Sequence, residues 1–224
     1  MADPPAPAAT PGPPAKSGDA PNDALAEVTI DSQLAYDGVL LRVLRDRVRC
    51  PDGHVAVREY IRHPGAVMIV AMPDVQTVLL ERQYRYPLGR SFIEMPAGKL
   101  EFGEDPLACA QRELLEETGY CAARWDRLGA FHNAIGYCDE KIHVYLARDL
   151  SYCGASTEAG EVLEVFSAPW RELLQWIAAG TVSDVKTIIG TYWLERYLAQ
   201  DAPAAAVGSS GQGQTGSLPG ACPS

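Results

Sequence analysis

The segment 98–120 constrains this chain more than any other. Asp105 and Pro106 are typical of a helix start, because an aspartate side chain caps the first free backbone N–H groups and proline fits the first helical position. Gly119 is typical of a helix end, since glycine readily adopts the left-handed conformation that closes a helix. The sequence therefore predicts a helix over 106–117, flanked by tight turns.

Three glutamates of this helix, Glu113, Glu116 and Glu117, are spaced i, i+3, i+4 and therefore share one narrow strip. Carboxylates so close together repel each other, and a divalent cation relieves that repulsion; oxygen ligands of this kind select Mg²⁺ or Mn²⁺. Arg112 can hold a carboxylate in place from four residues before Glu116. Glutamate-rich helix surfaces are usually only solvated, so the strip alone predicts no metal site.

The remaining core, 24–200, alternates runs of β-branched and apolar residues with turn signals. These runs predict strands over 25–30, 39–49, 54–63, 66–72, 77–84, 125–132, 142–147 and 163–167. Further helices are predicted over 169–179 and 183–198, and an apolar stripe of Leu107, Ala110 and Leu114 docks the first helix on the sheet. The pattern favours a mixed β-sheet packed between helices.

Composition limits the classes of function. The segments 1–23, rich in Pro and Ala, and 201–224, rich in Gly, Ser and Ala, contain too little apolar surface to pack and are predicted to be disordered. A net charge of −10 disfavours duplex nucleic acid as a partner. The six cysteines lack CxxC or zinc spacing, and no signal peptide or membrane span is evident, so we expect free thiols in a cytoplasmic protein away from membranes.

The joint spacing within 98–120 is far more specific than the acidic strip. It reads Gly98-x5-Glu104-x7-Arg112-Glu113-Leu114-x-Glu116-Glu117-x-Gly119-Tyr120 and resembles the Nudix hydrolase box, GX5EX7REUXEEXGU. Only Tyr120 departs from it, as an aromatic at the final aliphatic position. The resemblance implies an α+β fold: an α/β/α sandwich with a mixed β-sheet between helices and an N-terminal antiparallel strand region.

The resemblance also implies an activity, the metal-dependent hydrolysis of a nucleoside diphosphate linked to another group. Carried over residue by residue, it makes Glu113, Glu117 and the Ala97 carbonyl metal ligands, with Glu116 as a further catalytic carboxylate. The supporting positions of the box are Gly98, Glu104, Arg112 and Gly119.

The flanks of the box narrow the substrate. The segments 63–67, 82–85 and 94–98 resemble the ADP-ribose pyrophosphatase branch of the family, so the similarity extends from about 28 to 198. This branch hydrolyses ADP-ribose to AMP and ribose 5-phosphate, as a homodimer whose N-terminal strands, here within 24–62, are exchanged. Guanidinium groups match phosphate oxygens, and the candidate substrate ligands are Arg82, Arg85 and Arg90.

Downstream positions leave alternatives open. Ile135 replaces a proline that usually marks ADP-ribose preference, so another NDP-sugar, or a dinucleotide such as NADH or diadenosine polyphosphate, is the alternative substrate.

Glu140 is either a substrate contact or a solvated loop acid. In the loop 154–161 the resemblance points to Glu161, and second to Glu158, as metal ligand or catalytic base. A non-catalytic ADP-ribose sensor is a third reading, although every box carboxylate is present.

Overall fold

The structure is a computed structural model, which describes residues 23–154 and 162–201. Its N-terminal part is a three-stranded antiparallel sheet of β1 (Val28–Asp37), β2 (Arg42–Arg49) and β3 (Val55–Ile61), in that order. A Pro-Asp-Gly turn connects the second and third strands: the Cys50 N–H donates to the His54 carbonyl at 2.8 Å, and Gly53 has a φ of 87°.

Two further sheets form the middle layer of the molecule. Their strands are β4 (Ala66–Ala71), β5 (Thr77–Arg85), β6 (Arg90–Glu94), β7 (Ala97–Lys99), β8 (Tyr120–His132), β9 (Lys141–Tyr152) and β10 (Leu163–Pro169). One sheet has the order β7-β4-β9-β8 and the other the order β10-β5-β6. The pair β4 and β9 is parallel and the other pairs are antiparallel, which makes the layer mixed as predicted.

Helices cover both faces of this layer. They are α1 (Pro106–Thr118), α2 (Trp170–Ala178) and α3 (Val185–Asp201). Successive residues of a strand point to opposite faces: Ile69 packs in one apolar cluster with Leu114 of α1, whereas Met68 packs in the other with Leu173 of α2 and Leu194 of α3. The α+β sandwich implied by the box is therefore confirmed.

The elements around the box differ from the prediction in extent. Strands β6 and β7 were not predicted, since each is short and Pro96 separates them. Strand β8 begins at Tyr120 rather than at 125, because its first residues pair with the far end of β9, where Tyr120 lies opposite Tyr152. This pairing is a long-range contact that local alternation does not reveal.

The prediction of six free thiols is wrong for two of the cysteines. Cys121 of β8 and Cys153, just after β9, form a disulfide, with their Cα atoms 6.1 Å apart. Antiparallel pairing of β8 and β9 brings the two residues together across 32 positions of sequence, a separation without a recognisable spacing signal. Among the described residues the free cysteines are Cys50, Cys109 and Cys138.

None of the helices within 23–154 and 162–201 is both long and apolar enough to cross a membrane. The two predicted tails lie outside the described residues, apart from 23 and 201, so their disorder stays a prediction.

Candidate active site

The acidic strip of α1 is organised around one guanidinium. Asp105 caps the helix by accepting hydrogen bonds from the backbone N–H groups of residues 107 and 108, both at 3.0 Å. Arg112, in the second turn, donates to Glu113 at 2.8 Å and to Glu116 at 3.1 Å. Its Nε also donates to Glu104, in the loop before the helix, at 3.3 Å. A single positive charge thus holds three of the box carboxylates.

These contacts shift the pKa values of both partners. Burial alone would lower the pKa of Arg112, but its carboxylate partners raise it above the ordinary value. The pKa of Glu104 is lowered, chiefly because the Glu101 backbone N–H donates to it at 2.8 Å and also because of Arg112. Glu104 is therefore an anion that anchors Arg112.

Glu117 is the buried glutamate of the acidic strip. The residue is only 6% exposed, and its carboxylate accepts a hydrogen bond from the Ala97 N–H at 3.0 Å. At Gly98 a side chain has no room, because a Cβ there would lie 1.8 Å from the carboxyl carbon of Glu113. The loop 97–98 is consequently in direct contact with the carboxylates of Glu113 and Glu117.

The donor set fits a divalent cation by its chemistry. All the side-chain candidates on α1 are carboxylates, which are hard oxygen ligands, and Arg112 supplies the one guanidinium that the described contacts place among them. That leaves an excess of negative charge on one helix face. In the described part of the chain, no three acidic, His or Cys side chains already converge on one point.

Arg85 lies on the same side of the sheet as α1. Leu79 of β5 packs in one cluster with Leu114 of α1, and residues 79, 81, 83 and 85 share a face because strand side chains alternate. The guanidinium of Arg85 makes a two-pronged contact with Glu94 of β6, its Nε and one terminal nitrogen each 2.7 Å from a carboxylate oxygen. Arg85 therefore lies on the face of β5 that is turned toward the carboxylate helix.

The other two candidate arginines make different contacts, and only Arg82 lies on the other face of the sheet. Arg82 points to the opposite face of β5 and forms an ion pair with Glu164 on β10, both side chains being more than half exposed. Arg90, opposite Arg85 at the end of the hairpin, stacks over the ring of Phe92 at 4.2 Å and donates to a serine hydroxyl at 3.3 Å. The structure therefore does not bring Arg82 together with Arg85.

Glu140 lies before β9, away from the acidic strip. Its carboxylate accepts from Asn133 at 2.8 Å and lies 3.6 Å from the ring of His63. Ile135, in the same loop, is almost fully exposed. The two loop acids Glu158 and Glu161 lie outside the described residues, so their expected roles stay predictions.

Comparisons with known proteins agree with this geometry. The NUDIX domain family model matches residues 61–186, more than half of the chain. The chain belongs to the Nudix family. A methanol dehydrogenase activator of Bacillus methanolicus is 38% identical over 171 residues, which cover 75% of this chain and 92% of that protein. An ADP-ribose pyrophosphatase of Bacillus subtilis (strain 168) is 36% identical over 173 residues, covering 76% and 94%.

The fold of this Nudix protein also resembles solved structures. A crystal structure of an ADP compounds hydrolase superposes with a TM-score of 0.72 at 19% identity, covering 81% of this chain and 99% of that one. At that identity the likeness establishes the fold. The resemblance drawn from the box spacing is thus confirmed at the level of family and architecture.

Sequence reasoning missed a buried ionic cluster beside the Nudix box. Glu94 has a side chain only 4% exposed, and it contacts both Arg85 and Lys186 of α3. Burial by itself raises the pKa of Glu94, but the hydrogen bonds from the two cations outweigh burial and the pKa is lowered. A carboxylate within the apolar run Phe92-Ile93-Glu94-Met95 was the available signal, because an acid at a core position needs a cationic partner.

We expect this cluster to make stability depend on pH in a defined direction. A carboxylate with a lowered folded-state pKa contributes stability that is fully present above its ordinary pKa, 4.5 for Glu94, and lost as the pH falls through the folded-state value. Wild type should therefore lose unfolding free energy as the pH drops below about 4.5. Glu94→Gln should have a lower unfolding free energy than wild type at pH 7. As the pH falls below about 4.5, its unfolding free energy should decrease by less than that of wild type.

Urea denaturation followed by circular dichroism at several pH values measures both curves. Glu195→Gln, on an exposed position of α3, is the matched control and should follow wild type. If unfolding free energy plotted against pH ran parallel for wild type and Glu94→Gln, Glu94 would not be the source of the pH dependence.

Proposed function

We propose that this protein hydrolyses the pyrophosphate bond of ADP-ribose to AMP and ribose 5-phosphate, using Mg²⁺ or Mn²⁺. The observation that carries the proposal is the acidic strip of α1 facing the same side of the sheet as Arg85, a guanidinium suited to a diphosphate. The name of the Bacillus subtilis relative, ADP-ribose pyrophosphatase, supports the substrate. All the carboxylates of the box are present, which favours an enzyme over a non-catalytic sensor.

The cation would be held by Glu113, Glu117 and the Ala97 carbonyl, with Glu116 beside them. When bound, it shields the diphosphate charge and lowers the pKa of a water molecule. The chain's own contacts prepare this site: Arg112 fixes Glu113 and Glu116, and Glu117 is held against the 97–98 loop by the Ala97 N–H. These contacts orient carboxylates that would otherwise repel each other.

Arg85 would bind the diphosphate. Its side chain is 42% exposed, and the contact with Glu94 uses only Nε and one of the two terminal nitrogens. A guanidinium carries five N–H donors, so an anion can be bound while the contact with Glu94 persists. The negative charge of the diphosphate would thus be balanced by Arg85 on the sheet side and by the metal ion held by the carboxylates on the helix side.

A second candidate substrate is another nucleoside diphosphate derivative. Ile135 is the observation that favours it, since this exposed residue replaces a proline typical of ADP-ribose enzymes. The candidates are other NDP-sugars, NADH and diadenosine polyphosphates. They share the diphosphate, so Arg85 and the box would act on them in the same way.

A substrate panel tests the function directly. With Mg²⁺ or Mn²⁺ present, we expect ADP-ribose to be turned over faster than GDP-mannose, NADH or diadenosine polyphosphate. Chromatography measures the nucleotide that each substrate releases, AMP from ADP-ribose and GMP from GDP-mannose. Glu117→Gln should lower kcat by a factor of about 10² or more, because it removes a charge that holds the metal. Glu172→Gln, exposed on α2, should keep wild-type kcat. Near-normal turnover of Glu117→Gln at saturating metal would refute the metal site.

The loop acids call for a side-by-side comparison. Glu161 is the proposed base or metal ligand, so Glu161→Gln should lower kcat by about 10² with a modest change in KM. Glu158→Gln should do much less. A larger loss at Glu158 would transfer the role to that residue, and no loss at either would place activation of the water on α1 alone.

We also propose a homodimer built on the N-terminal sheet. Nearly all of β1 is exposed although it carries Val28, Ile30, Leu34 and Tyr36, and exposed apolar surface of this extent marks interaction sites. Light scattering should give twice the chain mass of 24.2 kDa. Ile30→Lys with Tyr36→Lys should shift the mass toward the monomer, whereas Val75→Lys, on an exposed turn, should not. A wild-type monomer would contradict the proposal.

A further inference from the structure

Lys186 joins the buried cluster from the opposite side of the sheet layer. It lies in the first turn of α3, and its ammonium contacts the carboxylates of Glu94 and, at 3.0 Å, Asp184. The side chain of Lys186 is 13% exposed and that of Glu94 only 4%. Glu94 is therefore in contact with two cations, Lys186 and Arg85.

A chain of hydrogen bonds fixes where the ammonium of Lys186 lies. The backbone N–H of Met95, next to Glu94, donates to the hydroxyl of Thr187 at 2.9 Å. That hydroxyl donates to Asp184 at 2.7 Å, and Asp184 also accepts from Lys186. Met95 and Thr187 are almost completely buried, so water does not compete for these bonds. The start of α3 is thereby tied to the strand that carries Glu94.

The second cation on Glu94 is not needed to satisfy the carboxylate. Arg85 already engages both oxygens in a fork, the strongest geometry available to a carboxylate. Adding Lys186 to a buried cluster costs desolvation energy, and buried ion pairs are weak evidence for stability. A lysine at this position therefore calls for an explanation beyond stability.

The positive charge of Lys186 explains why a lysine occupies this position. A buried Glu94 paired with Arg85 alone would be neutral, and it would offset the charge that Arg85 offers to an anion. Lys186 provides a second positive charge for Glu94. Asp184 offsets part of it, but Asp184 also accepts the backbone N–H of Thr187 at 3.0 Å, so it serves the positive end of the α3 dipole as well.

The cluster is also accessible. Arg85, Lys186, Glu94 and Asp184 line one cavity of about 290 Å³, together with Phe92 and Ser183. Arg85 extends from there to the side of α1. The pKa of Arg85 is raised chiefly by the hydrogen bond that it donates to Glu94, and further by the negative charges of Glu94, Asp184 and Glu117. Arg85 thus lies between the Lys186 cluster and the carboxylate helix.

We propose that Lys186 is a positioning residue for the diphosphate. It neutralises Glu94, so that Glu94 can hold the guanidinium of Arg85 in a fixed plane without cancelling the attraction of Arg85 for phosphate. This inference rests on the proposed function, because it takes a diphosphate as the anion that Arg85 binds. Lys186 acts through Glu94 and Arg85 and does not itself touch the substrate.

The test is a series of steady-state measurements. Lys186→Met keeps the apolar stem and removes the charge; it should raise KM about tenfold while kcat changes less than about twofold, because Arg85 binds the diphosphate in ground state and transition state alike. Lys186→Arg keeps the charge and should restore at least half of the lost affinity. Arg196→Met, on the exposed face of the same helix, removes one charge away from the cluster and should match wild type.

A double-mutant cycle separates positioning from a purely structural role. If Lys186 acts through Arg85, Lys186→Met should have no further effect on KM in an Arg85→Gln background. Equal effects of Lys186→Met in both backgrounds, or a KM that stays at the wild-type value, would overturn the proposal. A fall in kcat accompanied by a lower melting temperature, and not rescued by Lys186→Arg, would also overturn it.

The series uses whichever nucleoside diphosphate derivative wild type hydrolyses fastest in the panel. Failure of ADP-ribose in that panel refutes the proposed substrate, whereas a flat KM in the Lys186 series refutes the positioning role. The two failures are therefore distinguishable.

Discussion

The rest of this structure depends on how the carboxylates of α1 are kept together on one helix face. Glutamates at i, i+3 and i+4 repel each other, and the described contacts relieve the repulsion only in part. Arg112 shares one positive charge among Glu104, Glu113 and Glu116, while a backbone N–H holds Glu117. An excess of negative charge remains, and the fold keeps it at the edge of a packed face because Leu114 anchors the helix on the sheet.

A second acidic group, Glu94, has the opposite environment, with more positive than negative charge around it. It is buried as deeply as Glu117, yet two cations, Arg85 and Lys186, contact it. The helix face is therefore rich in negative charge and the facing hairpin carries positive charge. Such a division suits a substrate that is itself anionic and is bound with a cation, since each charge on the diphosphate and its metal then meets a partner of opposite sign.

Two of the arginines that precede the box, Arg82 and Arg85, also lie in different surroundings. Arg82 and Arg85 are three residues apart on one strand, so their side chains point to opposite faces. Arg85 reaches the side of α1, while Arg82 pairs with Glu164 on the opposite face of the sheet, where both side chains are exposed. Guanidinium groups close in sequence are thus not equivalent, and alternation along β5 decides which of them faces the acidic strip.

Local features of this protein were readable from the sequence. The start of α1 at Asp105 and Pro106, its end at Gly119 and the acidic strip all follow from hydrogen bonds and periodicities within a few residues, and the joint spacing of the box identified the family. These features need no knowledge of the rest of the chain.

Only the tertiary structure decided the contacts between distant segments. Glu94 and Lys186 are 92 positions apart, and the pair Cys121 and Cys153 is 32 apart. Neither pair has a spacing that a sequence pattern would reveal, because both arise from how the sheets and α3 pack. Local hydrogen bonding determines where a helix or turn begins, whereas burial determines which charged side chains must find each other, and burial is a property of the whole fold.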